Sequence, residues 1–164
     1  MTTTPRRIAL IMAIMWALSS QGLAQVPAPA RVEGLIHDFT ADLDTAGPWL
    51  IVGPWSLAVT TQTGRVEFLA ALSMVRSDNP ARQAHTHHVA MNDGQVTPLA
   101  NGYRITGNAM ITSNGATAGF SGSPVVIEIT GGNAVTLANL KVTFGGSAVA
   151  HFGDQPLEGV VNFR

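Results

Sequence analysis

The chain has no cysteine, so neither a disulfide framework nor a cysteine-linked lipid anchor can contribute to it. Its fold must be held by a buried core alone. Charge is scarce as well: Asp, Glu, Lys and Arg together make up 12% of the residues, and Lys141 is the single lysine. A protein that grips the phosphates of a nucleic acid needs a basic stripe, and none can be assembled from so few cations. No uninterrupted apolar run reaches the ~20 residues a helical bilayer crossing requires. Long helix-favouring residues are few, whereas Gly, Thr, Val and Ala abound, a balance that points to sheet.

What is present begins with an address. Arg6 and Arg7 precede an apolar run over residues 8–18, polar Ser19, Ser20 and Gln21 follow at once, and Gly22, Leu23 and Ala24 supply small residues near a cleavage point. Residues 1–24 are expected to be a cleaved signal peptide, which places the mature protein outside the cell or in the periplasm without stable membrane insertion. Removing Arg6 and Arg7 from the nine basic residues leaves seven against ten acidic ones, a mildly acidic chain. About 140 residues remain, enough for one domain with a real core.

Residues 25–47 read as a Pro/Ala-rich tether and lead-in, with Pro27 and Pro29 among alanines and a short strand within 32–39. From residue 48 to 164 alternation dominates. Trp55, Leu57 and Val59 share one face; Val66, Phe68, Ala70, Leu72 and Met74 share another, with Leu69 and Val75 breaking strict alternation. That partial two-sidedness suits an outer face covered by the amino-terminal segment or a second copy of the chain, so a homo-oligomer stays open. Tyr103, Ile105, Gly107, Ala109 and Ile111 form a further inward row, as do Val125, Ile127 and Ile129. Hairpin turns are predicted at 61–64, at Asn92-Asp93-Gly94-Gln95 and at Asn101-Gly102. A flexible loop is expected over 114–123, a β-bulge near Ala138-Asn139, a short strand over 148–152 and a closing strand over 159–163. Turn signals roughly every 8 to 12 residues predict an all-β fold, a compact antiparallel β-barrel or sandwich of about seven to nine strands.

Chemistry concentrates in Ala84-His85-Thr86-His87-His88-Val89, three of the five histidines within four positions. On a strand, His85 and His87 point to one face and His88 to the other. Two imidazoles on one strand can converge on zinc or copper, given a third ligand from elsewhere. His151 is the best third candidate; His37, His88 and Asp154 are additional ones. Trp49, Tyr103 and Arg104 could contact a small-molecule ligand through their aromatic faces and guanidinium.

Ser121 and Ser123 lie in a Gly-rich loop without the spacing of a nucleophile elbow, and Glu67, Glu128, Asp42 and Asp44 read as solvated surface charge. No residue is assigned a catalytic role. His85-Thr86-His87 resembles the opening of the cupin metal motif, with Met91 and Asn92 where a glutamate belongs. His151-Phe152-Gly153-Asp154 is similar to part of the copper-zinc superoxide dismutase signature, with Val149 where that family has another histidine. The pair plus a distant third histidine also resembles the ligand set of alpha carbonic anhydrases. Each likeness covers about a dozen residues at most, and none is adopted as a family assignment.

The sequence therefore supports an exported β-barrel holding zinc or copper through His85, His87 and His151, its partner a metal ion or small molecule and no nucleic acid. Two alternatives stand beside it: a non-catalytic barrel that binds a small apolar ligand or makes contacts at the cell surface, and a metal-free cyclase or isomerase.

Overall fold

The computed structural model describes residues 31–40, 48–60, 65–131 and 138–162. The expected signal peptide, the expected tether over 25–30 and the expected turn at 61–64 lie outside these residues. The bulge expected near Ala138-Asn139 is not seen among them, the pairing with the last strand running without a register shift from Ala138 to Val142. Within them, nine strands run in chain order: β1 (Arg31–Phe39), β2 (Trp49–Thr60), β3 (Arg65–Arg76), β4 (His85–Leu99), β5 (Gly102–Ser113), β6 (Ala116–Thr117), β7 (Ser123–Thr130), β8 (Ala138–Phe144) and β9 (Leu157–Asn162). Every pairing is antiparallel. The sheet order β4-β3-β2-β1-β9-β8-β7-β5, with β4 pairing β5, closes a barrel of eight strands, and β6 folds back on β5 as a short extra strand. Apart from that flap, each strand pairs with its neighbours along the chain, and β1 meets β9 to complete the circle.

The alternation that predicted the strands also fills the interior. Val66, Phe68, Ala70, Leu72 and Met74 are all buried, as are Ile105, Ala109 and Ile111 from β5, Val125, Ile127 and Ile129 from β7, and Leu140, Val142 and Phe144 from β8. Eight strands enclose an interior about wide enough for side chains to fill, so this is a packed core. Leu69, off the inward parity, is 51% exposed on the outer wall.

The segment read as a lead-in contributes more than a loose short strand. Val32 and Ile36 of β1 are buried, and β1 is hydrogen-bonded on both sides. Between them Gly34 faces inward, opposite Trp55. A Cβ there would collide with the Val160 carbonyl and lie 2.9 Å from Trp55 Nε1. The missing side chain gives the indole its room, and Trp55 Nε1–H donates to the Val160 carbonyl at 3.2 Å.

Three sequence expectations are corrected. Asn92-Asp93-Gly94-Gln95 is no hairpin turn but the middle of β4, where the register with β5 shifts between Ala90 and Gln95; the turn-forming residues are spent on a bulge. The true hairpin is the one at Asn101-Gly102, where Leu99 pairs with Gly102. Residues 114–123 are not a featureless loop: β6 pairs with β5, and Ser121 Oγ accepts from the Ile111 N–H at 3.0 Å. Residues 148–152 are helical rather than extended. A 3-10 turn (Gly146–Ala148) leads into α1, a single turn spanning Val149–Phe152.

The two ends of the barrel differ. One carries the connections 61–64, 100–101 and 131–137. The other carries 40–48, 77–84, 114–122 and 145–156, which are longer on the whole and include α1. Longer connections at one rim of a rigid barrel are where a site is commonly built.

Candidate metal centre

β4 enters the barrel at the rim with the longer connections, and its pleat turns His85 and His87 inward there. His85 lies opposite Met74 of β3, and His87 opposite Leu72 of β3 and Ser113 of β5. His87 is 1% exposed; His85, one pleat nearer the rim, is half-buried.

The third imidazole descends from above. Gly146, at φ +59°, turns the chain after β8, and the buried Ala148 N–H donates to Ser123 Oγ at 3.2 Å. Phe152 packs face to face on Phe144, ring centroids 4.2 Å apart, and Gly153 at φ +87° ends the turn. These contacts fix α1 across the mouth and hang His151 over the pair from β4. Its Nε2 stands 2.8 Å from Nε2 of His87 and 3.2 Å from Nε2 of His85.

The opposite edges of the two β4 rings are tied to the backbone. His87 Nδ1–H donates to the Thr112 carbonyl at 3.0 Å, and His85 Nδ1–H to the Gln83 carbonyl at 2.8 Å. Gln83 adopts φ +58°, a left-handed conformation uncommon for a residue with a side chain, which brings its carbonyl to the ring. A carbonyl can only accept, so each Nδ1 carries hydrogen, and in the neutral rings each Nε2 offers a lone pair toward His151. Anchoring of the outer ring nitrogen by a backbone carbonyl is the arrangement that orients histidine ligands on a metal.

The ligand atoms of His85, His87 and His151 all lie within 4.8 Å of one another. Tetrahedral zinc with Zn–N bonds of about 2.0–2.1 Å would separate them by about 3.4 Å, a value between the 2.8 and 3.2 Å that part His151 from the two β4 rings and the 4.8 Å that bounds the set. Burial lowers the His87 pKa, against the pull of the Thr112 carbonyl and aided by repulsion from His85. Burial likewise brings His151 down to about 4, with repulsion from His87 and then His85 adding to it. Both are thus neutral at physiological pH, the form that binds metal.

Aromatic rings wall the cluster. Phe120 stacks on His151 with centroids 4.8 Å apart, Phe152 meets His87 edge-on at 5.1 Å, and Trp49 meets His85 at 5.2 Å. Beside Trp49, at 5.7 Å from its ring, lies the Arg76 guanidinium, whose Nε donates to Asp78 Oδ1 at 2.8 Å. That hydrogen bond holds the Asp78 carboxyl below the usual carboxylate range.

The structure thus gathers His85, His87 and His151. It does not bring in the other candidates. His88 points outward from β4, His37 outward from β1, and Asp154 is exposed beyond α1, accepting from Gln155 at 3.3 Å. Of the ligand-contact candidates, Trp49 is at the cluster. Tyr103 and Arg104 begin β5 at the other rim, about 30 Å along the strand from Thr112, where Arg104 Nε donates to Glu128 at 2.8 Å. Sequence reasoning missed Phe120, Phe152 and the carbonyls of Gln83 and Thr112. Phe120 sits among small residues that carry no periodic signal, and a backbone carbonyl has no side-chain signature at all.

No family model, curated protein or solved structure matches the chain. The likenesses to cupins, superoxide dismutases and carbonic anhydrases rest on short motifs only.

Proposed function

We propose that this chain is an exported β-barrel whose function resides in a mononuclear metal centre, zinc or copper, bound by Nε2 of His85, His87 and His151, with a further coordination position for water or a substrate. The observation that carries the proposal is the convergence of three Nε2 atoms from two distant segments, two of them with Nδ1 anchored on carbonyls. Three imidazoles suit zinc and copper alike. With zinc, an open position lowers the pKa of bound water and supports hydrolytic chemistry; with copper, it gives access to redox chemistry. Export rests on the leader-like residues 1–24.

Calorimetric titration of the purified, metal-stripped protein with zinc and with copper(II) tests the reading. One ion per chain is expected. His85→Ala, His87→Ala and His151→Ala should each weaken binding on the order of a hundredfold or more, since even partners behind the ligands are worth 10 to 100-fold. His88→Ala, on the outer wall, should leave it unchanged. Absence of stoichiometric binding to the wild-type chain would refute the proposal.

A further inference from the structure

We propose that the open coordination position takes an anionic oxygen ligand carried on an apolar body, a hydrophobic carboxylate. This rests on the metal centre proposed above and deepens it.

Charge comes first. The ligand group contains three imidazoles and, among the described residues, no Asp or Glu joins it. Neutral imidazoles leave a bound dication with its full charge. Asp78, the acidic residue near it, is held by the Arg76 guanidinium through two hydrogen bonds, at 2.8 and 2.9 Å, and so is drawn toward a cation of the protein rather than toward the ligand group. A dication held against a packed apolar core is poorly solvated, and the lowest-cost compensation is an anion on the metal itself. Since none of the described residues supplies one, the proposed anion comes from solution.

The walls then select its body. The rim around the cluster is built by Trp49 and Phe120, both only partly buried and both packed against ligand rings. Phe120 is fixed in place: Ser123 Oγ–H donates to its carbonyl at 2.7 Å, and the Ser121 N–H donates to the Ala118 carbonyl at 3.0 Å. A rigid aromatic rim rewards an apolar or aromatic group behind the carboxylate and gives a strongly hydrated small anion nothing beyond the metal.

The test uses cobalt(II), whose visible bands report its ligands, bound at one equivalent to the metal-stripped protein and titrated with sodium benzoate and, separately, sodium acetate. Both anions are expected to shift the bands, benzoate with affinity about tenfold tighter, the size of one aromatic contact. In Phe120→Ala the cobalt bands should persist and the benzoate advantage should shrink. Trp49→Ala provides the same comparison if the first variant fails to fold by circular dichroism. Intact cobalt bands that neither anion shifts would overturn the carboxylate ligand while leaving the metal centre standing. Equal affinities for benzoate and acetate would overturn the apolar selection, and failure to form the cobalt bands would remove the metal centre itself.

Discussion

His85 and His87 hold their Nδ1 hydrogens on backbone carbonyls, and this single detail decides the protonation of the cluster. With two lone pairs aimed at it, Nε2 of His151 must carry a hydrogen whenever no ion is bound, one N–H serving two acceptors. Exchange of that proton for a metal dication is the chemistry to which the geometry lends itself. The depressed titration of His151 gives this a pH signature. Protons compete for this ring only as the pH approaches about 4, so metal content after dialysis should be lower at pH 4 than at pH 7. Stability of the metal-free protein follows the same ring. An unfolded histidine takes up its proton near 6.5 while the folded one does not, so the unfolded state binds more protons and stability declines as pH drops from about 6.5 toward 4. Urea midpoints measured at pH 7.5, 5.5 and 4.5 should decrease in that order; an unchanged midpoint would contradict the buried, neutral His151.

Among the elements, α1 was the hardest to read and matters most to the site. Val149, Ala150, His151 and Phe152 are too few for helical periodicity to show, and a four-residue turn has no helical stability of its own. What forms it is tertiary: Phe152 seated on Phe144, Ala148 tied to Ser123, Gly153 at positive φ. Phe152→Ala should therefore act twice, lowering stability by about 3–5 kcal/mol and weakening metal binding at least about tenfold by releasing the ring next to it. Leu140→Ala, equally buried in β8 and outside the cluster, should cost about 2–5 kcal/mol with metal affinity retained. Denaturant unfolding and zinc titration of the two variants separate these effects. By contrast β3, β5 and β7 were legible residue by residue, because burial on one face imposes a two-residue period. β4 was legible only in part. His85, His87 and Val89 obey that period, whereas Asn92, Asp93 and Gly94 have turn chemistry that the register shift absorbs without ending the strand. Pairing His85 with His87 on one face followed from the pleat alone; adding His151 was a choice among loose histidines, which only the closing of the barrel across more than sixty residues of chain settles.

At the scale of the whole molecule, neighbouring strands along the chain are neighbours in space, and β1 with β9 supplies the one long-range seam. The register sets Glu33 against Asn162, so the start of β1 and the end of β9 sit side by side on the rim with the shorter connections. The histidines occupy the other. A folded domain fused ahead of Arg31 should therefore leave zinc affinity unchanged, and a titration of such a fusion beside the unfused chain checks it. The same polarity has a spatial meaning. Were the barrel held to a surface by either extremity, its imidazoles would stand on the side away from the support, presented to whatever diffuses past.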